Sequence, residues 1–223
     1  MENRQIVKTK DGSSSLYLPD LDEYYHSSHG AVQESAHVFI DHGFCRLIES
    51  KDEFNLLEVG FGTGLNAFLT LQQSLKKGKR TIYSAIEPYP LSLQEVDQFN
   101  YQNFVDESLY QHYFRMLHEL SFDQLHKIND YFQLIKYQDK LLKCQLSKKF
   151  DLVYYDAFGP RAQPEMWELS SLEKTVNSLK EGGIFVTYCV KGSVKRALKS
   201  LGMQVDKLPG PPGKREMLFA TLS

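Results

Sequence analysis

The sequence predicts an α/β fold. We expect a mostly parallel sheet with helices on both faces, an antiparallel hairpin at the carboxyl end and a β-hairpin extension at the amino end. From residue 51 onward, short strand-like segments alternate with helical ones. These strand-like segments are apolar throughout, which is typical of strands buried on both faces. Residues 203–222 contain two further strand-like runs around the turn "PGPPGK", and this pattern predicts the terminal hairpin.

The elements follow in order along the 223 residues. The segment "IVKTKDGSSSLYLPD" predicts an N-terminal hairpin that turns at Asp11-Gly12. A helix is predicted from about Gln33 to Ser50. Five apolar strands follow, interleaved with helices: "FNLLEVG", "RTIYSAIE", "YFQLIKY", "FDLVYYD" and "GIFVTYC". With the terminal hairpin they make a seven-stranded sheet, the arrangement of the Rossmann-like class I methyltransferases.

The helices predicted between these strands are "LNAFLTLQQSLKK", "PLSLQEVDQF", residues 100–130 and "EMWELSSLEKTVNSLK". In the third of these helices, the spacing of the large apolar residues predicts an inward face. Its members are Tyr101, Phe104, Leu109, Tyr113, Leu117, Leu120 and Leu125.

The composition predicts a single soluble domain over residues 1–223, with 1–50 as an N-terminal extension and 51–223 as the Rossmann-like core. No apolar run approaches the roughly 18 residues of a membrane span, and no secretory signal opens the chain. The three cysteines, Cys45, Cys144 and Cys189, are odd in number and far apart. They fit reduced thiols in the cytoplasm better than a disulfide framework.

Basic charge is concentrated at the carboxyl end. Residues 191–223 hold seven Lys/Arg and two Asp/Glu, or +5, so the total of −2 leaves −7 for residues 1–190. A second basic cluster, "KKGKR", lies at 76–80. A solvated surface and a polyanion contact both explain such clusters.

The segment "LLEVGFGTGLNAF" is expected to turn from the first core strand into a helix. Glycines at such a turn let the backbone approach a ligand closely. The candidate cofactor-binding residues here are Glu58, Gly60, Gly62, Thr63 and Gly64.

A dinucleotide is one candidate ligand, because Gly62, Gly64 and Ala67 fit the spacing G-x-G-x-x-A. However, the strand ends at Val59, and counting from Gly60 puts Leu65 where that fingerprint needs a small residue. S-adenosylmethionine fits better, since it has no phosphates and is cationic at its amino and sulfonium groups.

Three carboxylates at successive strand ends also favour S-adenosylmethionine. We expect Glu58 to lie near the cationic groups of the cofactor and Glu87 to accept hydrogen bonds from both ribose hydroxyls. Asp139 is expected to accept a hydrogen bond from the adenine amino group. Ordinary structural roles remain open for each of them, such as a helix N-cap at Asp139.

The fourth core strand ends at Asp156, on the same edge. At this point the motifs "EVGFGTGLN", "DAFGPRAQPEMW", "YHSSHGAVQES" and "GKREML" together resemble the tRNA 5-aminomethyl-2-thiouridine methyltransferases. These are the stand-alone MnmD-like enzymes, similar to the N-terminal module of bifunctional MnmC proteins. The family block usually carries Asn where this chain has Gln163, so no role is assigned to that side chain.

The resemblance implies methylation of the exocyclic amine of 5-aminomethyl-(2-thio)uridine at the tRNA wobble position. The cofactor would be S-adenosylmethionine and the partner the tRNA anticodon loop, with no membrane contact. Bifunctional relatives also carry a flavin domain. Because this chain ends where the methyltransferase ends, we expect no flavin.

Asp156 is the candidate catalytic residue. Its carboxylate can accept an N–H bond from the amine and orient the lone pair for attack. Pro160 stiffens the loop, and Phe158 or Trp167 can stack on the extruded base, although Trp167 as plain core is an open alternative. The remaining substrate-binding candidates are Tyr25 and His29 in the N-terminal loop, next to His26, and Lys214 and Arg215 in the basic tail.

Three other interpretations are weighed. The histidines of "HSSH", with His37 and His42, lack a metal-ligand pattern, so no metal is expected. An aminopropyltransferase of the spermidine-synthase type shares the fold, but its polycationic acceptor calls for an acid-lined pocket. A non-catalytic nucleotide- or tRNA-binding module is the third.

Overall fold

The computed structural model describes residues 3–146 and 149–223. Within them, the strands form a three-stranded N-terminal sheet and an eight-stranded main sheet. In chain order the strands are β1 (Gln5–Lys8), β2 (Ser14–Leu18), β3 (Glu23–Tyr24), β4 (Glu53–Val59), β5 (Arg80–Ile86), β6 (Leu125–Lys127), β7 (Phe132–Tyr137), β8 (Phe150–Tyr155), β9 (Leu179–Thr187), β10 (Met203–Pro209) and β11 (Glu216–Leu222).

The main sheet has the order β10-β11-β9-β8-β4-β5-β7-β6. Strands β9, β8, β4, β5 and β7 are parallel to one another, whereas β10, β11 and β6 join antiparallel. This confirms the predicted fold class and the terminal hairpin. The order along the sheet reverses at β4, and ligands of open α/β sheets bind at the carboxyl ends of the strands beside such a switch point.

Helical segments connect the strands, and the predicted helix near residues 33–50 is present as one continuous segment over 31–47. A π-helical stretch, Ala36–Phe44, forms its middle, and Tyr110–Phe114 is a second one; single 3-10 turns occur at Tyr101–Asn103 and Pro164–Trp167. The α-helices are α1 (Ala31–Ser35), α2 (Cys45–Leu47), α3 (Leu65–Lys77), α4 (Leu93–Val96), α5 (Glu107–Leu109), α6 (Arg115–Glu119), α7 (Leu169–Val176) and α8 (Gly192–Ser200).

Both faces of the main sheet are buried, which explains why its strands are apolar throughout. On one face Leu56 pairs with Tyr83 and Leu152 across the sheet, and these side chains pack in one core with the buried face of α3. On the other face Leu57 and Val153 pack in a second core with α7.

The predicted helix over residues 100–130 is interrupted at residues 104–106 and is wrong in its last third. The helical segment ends at Glu119, because Leu120 has the extended ψ of 139°. The chain then forms β6, which pairs with β7 as an eighth strand at the sheet edge. Since an edge strand is covered on fewer sides, Leu125 is 47% exposed, and Phe104 is also exposed rather than inward.

The N-terminal sheet packs beside the carboxyl edge of the main sheet. The predicted hairpin is present as β1 and β2, with β3 added to it. Arg4 donates to the Tyr89 carbonyl, and the Ser14 N–H donates to Asn100 Oδ1. In the described residues, no helix combines the length and the apolar character needed to cross a membrane.

Candidate active site

A cavity of about 440 Å³ opens at the carboxyl ends of β4, β5 and β8. The glycine loop, the N-terminal extension, the segment after β7 and the loop after β8 all contribute to its wall. Acidic, basic and apolar side chains line it together, including Tyr25, His26, Phe61, Thr63, Asn66, Ile86, Glu87, Lys140, Leu141, Lys143, Asp156, Phe158, Gln163, Glu165, Met166 and Tyr188.

The glycine loop requires glycine at Gly60 for two reasons. Its φ is +93°, and a Cβ at this position would lie 2.5 Å from the Asp156 carbonyl oxygen. The loop therefore presses against the strand end that carries the candidate catalytic acid. Gly62 has φ +50°, and a Cβ there would crowd the Tyr25 ring at 3.2 Å. This close packing keeps the backbone exposed to the cavity.

Glu87 holds the glycine loop in place. Its Oε2 accepts from the Gly62 N–H at 2.9 Å, and its Oε1 accepts from the Tyr89 N–H at 2.8 Å. Burial raises the pKa of this carboxyl group, while the two backbone donors lower it. An acid that lines the cavity and already accepts two N–H bonds has further lone pairs for ligand hydroxyl groups.

Asn66 links two acidic residues. Its Nδ2 donates to Glu58 Oε1 at 2.9 Å and to Asp156 Oδ2 at 2.8 Å. Glu58 is fully buried, and its Oε2 has no hydrogen-bond partner among the described residues. Burial raises the pKa of Glu58 well above its usual value. Glu58 therefore lies behind the cavity wall and supports Asp156 through the amide of Asn66.

Asp156 titrates near neutral pH. Its pKa is raised to about 7: burial is the main cause and the nearby Glu34 carboxylate adds to it, whereas the Asn66 hydrogen bond and Lys214 act in the opposite direction. A carboxyl group with such a pKa can exchange a proton at physiological pH, as general acid–base groups do. The sequence placed Asp156 at this edge but gave no sign of its pKa.

The loop after β8 is held by its own aromatic and amide groups. The Trp167 indole N–H donates to the Phe158 carbonyl at 2.7 Å, and the Phe158 N–H donates to Gln163 Oε1 at 3.1 Å. Trp167 is buried and packs on Tyr155, with ring centroids 5.1 Å apart. The Phe158 ring meets Tyr25 edge to face at 4.9 Å and forms part of the cavity wall.

The predicted site residues divide into two groups. Those in the cavity wall are Tyr25, Gly60, Gly62, Thr63, Glu87, Asp156 and Phe158. Those that lie behind or outside the wall, among the residues described, are His29, Glu58, Gly64, Asp139, Pro160, Trp167, Lys214 and Arg215.

Asp139 lies two residues beyond Tyr137, where β7 ends as predicted, and it does not contact the cavity. Its Oδ1 accepts the neighbouring Lys140 N–H, and the residues after it form a turn, so the alternative role as a helix N-cap is not observed either. Lys140, Leu141 and Lys143 contact the cavity in its place. Lys214 donates to Glu34. In both cases the tertiary packing differs from the position that the sequence alone predicts.

Sequence reasoning missed Asn66, Tyr188 and Glu34. Asn66 was detectable, since a polar residue in the buried first turn of an apolar helix needs a partner. Tyr188 follows β9, and its hydroxyl donates to the Ala157 carbonyl at 2.8 Å. Glu34 lies on the short α1, and nothing in its local sequence indicates the distant partner.

Comparison with known proteins identifies the family. A model described as S-adenosyl-L-methionine-dependent methyltransferase matches residues 99–223, more than half of the chain. The chain belongs to this methyltransferase family. The predicted use of S-adenosylmethionine is therefore supported over the dinucleotide interpretation.

The methyltransferase is similar to curated proteins named "tRNA 5-methylaminomethyl-2-thiouridine biosynthesis bifunctional protein MnmC". The protein from Leptospira borgpetersenii is 31% identical over 91% of this chain and 33% of its own length. The protein from Idiomarina loihiensis is 32% identical over 89% of this chain and 35% of its own. The chain thus spans about a third of these relatives, and the predicted resemblance is confirmed.

Solved structures agree on the fold. MnmC2 from Aquifex aeolicus is 24% identical, with a TM-score of 0.83 over the whole of this chain and 71% of that one. Spermidine synthase from Thermotoga maritima is 11% identical, with a TM-score of 0.52 over the whole chain and 70% of that one. At these identities the likeness concerns the fold alone.

The cavity fits S-adenosylmethionine by its chemistry. The glycine loop lines the cavity at Gly60 and Gly62, where no side chain stands between the backbone and a ligand, Glu87 offers a carboxylate to hydroxyl groups, and Ile86, Leu141 and Met166 offer apolar surface to a flat ring. Across the described residues, no group of three or more His, Cys, Asp or Glu is arranged to hold a metal ion.

Proposed function

We propose that this methyltransferase methylates the exocyclic amine of 5-aminomethyl-(2-thio)uridine at the wobble position of tRNA. The observation that carries the proposal is Asp156, whose carboxyl group lines the cavity beside the glycine loop and titrates near neutral pH. The curated relatives bear the name of this modification. Residues 1–223 are taken as one functional unit, because Tyr25 from the extension shares the wall with the core.

When bound, S-adenosylmethionine supplies a methyl group on a sulfonium. Glu87 and the backbone of the glycine loop would hold it, with Asp156 beside them. The ionised carboxylate of Asp156 accepts an N–H bond from the neutral acceptor amine and directs the nitrogen lone pair toward the methyl carbon. After transfer, the secondary ammonium loses a proton, and Asp156 or water takes it. Tyr25 and Phe158 would enclose the extruded base.

Binding of the tRNA would use basic groups around the cavity mouth. Lys140 and Lys143 are exposed and line the cavity, and Arg215 is exposed on the C-terminal hairpin. Phosphate contacts of this kind weaken steeply as salt rises. The mixed lining, with Lys140 and Lys143 beside Glu87, Asp156 and Glu165, differs from the acid-lined pocket expected for a polyamine acceptor.

The test is methyl transfer from labelled S-adenosylmethionine to tRNA bearing aminomethyluridine, with the product nucleoside identified by mass spectrometry. Two parallel reactions serve as comparisons. In the first, unmodified tRNA replaces the aminomethyluridine tRNA as acceptor; in the second, putrescine is the acceptor and decarboxylated S-adenosylmethionine the donor, which tests for aminopropyl transfer. Label in the wobble nucleoside supports the proposal, and its absence contradicts it. Asp156→Ala should reduce the rate more than tenfold, or about 1.4 kcal/mol of barrier, whereas Asp206→Asn, an exposed carboxylate on β10, should not.

A further inference from the structure

A partly buried ion pair, Glu34 and Lys214, lies behind the part of the cavity wall that Tyr188 forms. Glu34 is 6% exposed, its Oε1 accepts from Lys214 Nζ, and its Oε2 accepts from the Ser27 N–H at 2.6 Å. The same ammonium lies 4.2 Å from the ring centroid of Tyr188, which lines the cavity. The pair spans 180 residues and joins α1 to the turn of the C-terminal hairpin.

The backbone around this pair is closely packed. Gly213, just before Lys214, has φ +85°, and a Cβ there would lie 2.0 Å from the His29 ring. Gly30, at the start of α1, lies so close to Asp11 that a Cβ would be 2.2 Å from its carboxyl oxygen. The two motifs "YHSSHGAVQES" and "GKREML" thus pack directly on each other. The position of Lys214 is set by this packing, unlike that of a free surface lysine.

The pair adds two opposite charges to the surroundings of Asp156. The titratable groups that face Asp156 are Glu58 from β4, Tyr83 from β5, Glu34 from α1, Tyr188 after β9 and Lys214 from the hairpin turn. Burial is the main reason why the pKa of Asp156 is raised; the Glu34 carboxylate raises it further and the Lys214 ammonium lowers it.

We propose that Glu34 and Lys214 are positioning residues for methyl transfer: behind the cavity wall, Lys214 neutralises Glu34, so that this second carboxylate leaves no net negative charge beside Asp156 and the acceptor amine. The inference rests on the proposed function. Without Lys214, the negative charge of Glu34 would favour the ammonium form of an amine bound in the cavity, and an ammonium ion has no lone pair to attack the methyl carbon. It would also keep Asp156 protonated to higher pH, since like charges disfavour ionisation.

The test compares Glu34→Gln, Lys214→Met and the double variant by the dependence of kcat/KM on pH. In the pH profile of kcat/KM, the acidic limb is the range over which activity falls as pH is lowered. This limb should lie at lower pH for Glu34→Gln than for Lys214→Met, by about one pH unit, and the double variant should fall between them. Lys207 and Glu216 form an exposed ion pair on the same hairpin, 2.6 Å apart. Lys207→Met and Glu216→Gln are therefore matched controls, which should keep the wild-type limb.

Coincident limbs or the reverse order would overturn the inference, because a purely structural pair has no reason to move the limb in opposite directions. The double variant buries no unpaired charge, so it remains available if a single variant fails to fold. In that case, because both charges are gone, its limb should lie within about one pH unit of the wild-type limb, and a larger displacement would count against the pair. The carbon-13 shift of the Asp156 carboxyl group gives the same order without turnover, which separates this inference from the proposed function.

Discussion

Asn66→Ala probes the link between Glu58 and Asp156. The substitution removes two hydrogen bonds to carboxyl groups, at 2.9 and 2.8 Å, from a buried position. Hydrogen bonds of this kind contribute about 1.5–3 kcal/mol each. Because burial disfavours the charged form of Glu58, its bond falls at the weaker end of this range, and we expect the free energy of unfolding to fall by about 2–4 kcal/mol in total.

The effect on methyl transfer should depend on pH. With a pKa of about 7, Asp156 is half ionised at pH 7. Loss of the Asn66 hydrogen bond raises that pKa by about one unit, which leaves about a tenth of the carboxyl groups ionised and lowers kcat/KM about fivefold. At pH 9 both proteins are ionised at this residue, and this part of the deficit disappears. Protonation of the acceptor amine is the same for both and cancels in the ratio.

The assay is single-turnover methylation of aminomethyluridine tRNA at pH 7 and pH 9, with urea unfolding and S-adenosylmethionine binding measured on the same samples. Asn177→Ala is the control, since this exposed asparagine caps α7 away from the cavity; its unfolding free energy should change by less than about 0.5 kcal/mol. A deficit for Asn66→Ala that is equal at both pH values would refute the assigned electrostatic role.

Three further outcomes are expected. Asp156→Asn should stabilise the protein more at pH 8 than at pH 5, by on the order of 2 kcal/mol in urea unfolding. The pKa of Asp156 is about 7 in the folded state and 3.8 normally. As pH rises between these two values, the wild-type carboxyl group ionises more readily in the unfolded chain, which destabilises the native state, and asparagine removes this effect. An equal gain would contradict this. Glu87→Ala should weaken S-adenosylmethionine binding at least about tenfold in calorimetry, since Gly62 and Tyr89 lose their acceptor; an unchanged Kd would exclude Glu87 from the cofactor site. Trp167→Ala should lower the free energy of unfolding by about 3–5 kcal/mol. If instead the free energy of unfolding is unchanged and tRNA methylation is lost, the indole contacts the substrate.

The sheet was predictable from the sequence because its signals are local. Each parallel strand is buried on both faces, so "FNLLEVG" and "FDLVYYD" stand out as short apolar runs. The carboxyl ends of parallel strands share one edge, so Glu58, Glu87 and Asp156 were expected near one another. By contrast, β6 was missed, because Leu125 falls by coincidence on the helical spacing of the preceding residues.

The contacts that complete the site were not predictable in the same way. The pair of Glu34 and Lys214 joins residues 180 positions apart, and no local pattern specifies such a partner. Asp139 shows the opposite difficulty: its strand was predicted to end at Tyr137, as β7 does, but the turn after β7 brings Lys140, Leu141 and Lys143 to the cavity wall and leaves Asp139 outside it. The path of such a turn decides which side chains reach the cavity, and the sequence pattern does not specify that path.

Two aspartates lie at the two ends of β8, Asp151 near its start and Asp156 directly after its last residue, and their pKa values shift in opposite directions. For Asp151, at the amino end, burial favours the neutral acid, but Lys180, Lys51 and the Asn55 N–H all bind the carboxylate and lower its pKa overall. Asp156, five positions later, has only the Asn66 amide as a direct partner among the described residues, and its pKa is raised. Two lysines make Asp151 a fixed ionic contact that stabilises the fold. Asp156 is partly buried without a direct counter-ion in the described part of the chain, and under the proposed function this combination leaves its carboxyl group available to bind an amine and exchange a proton.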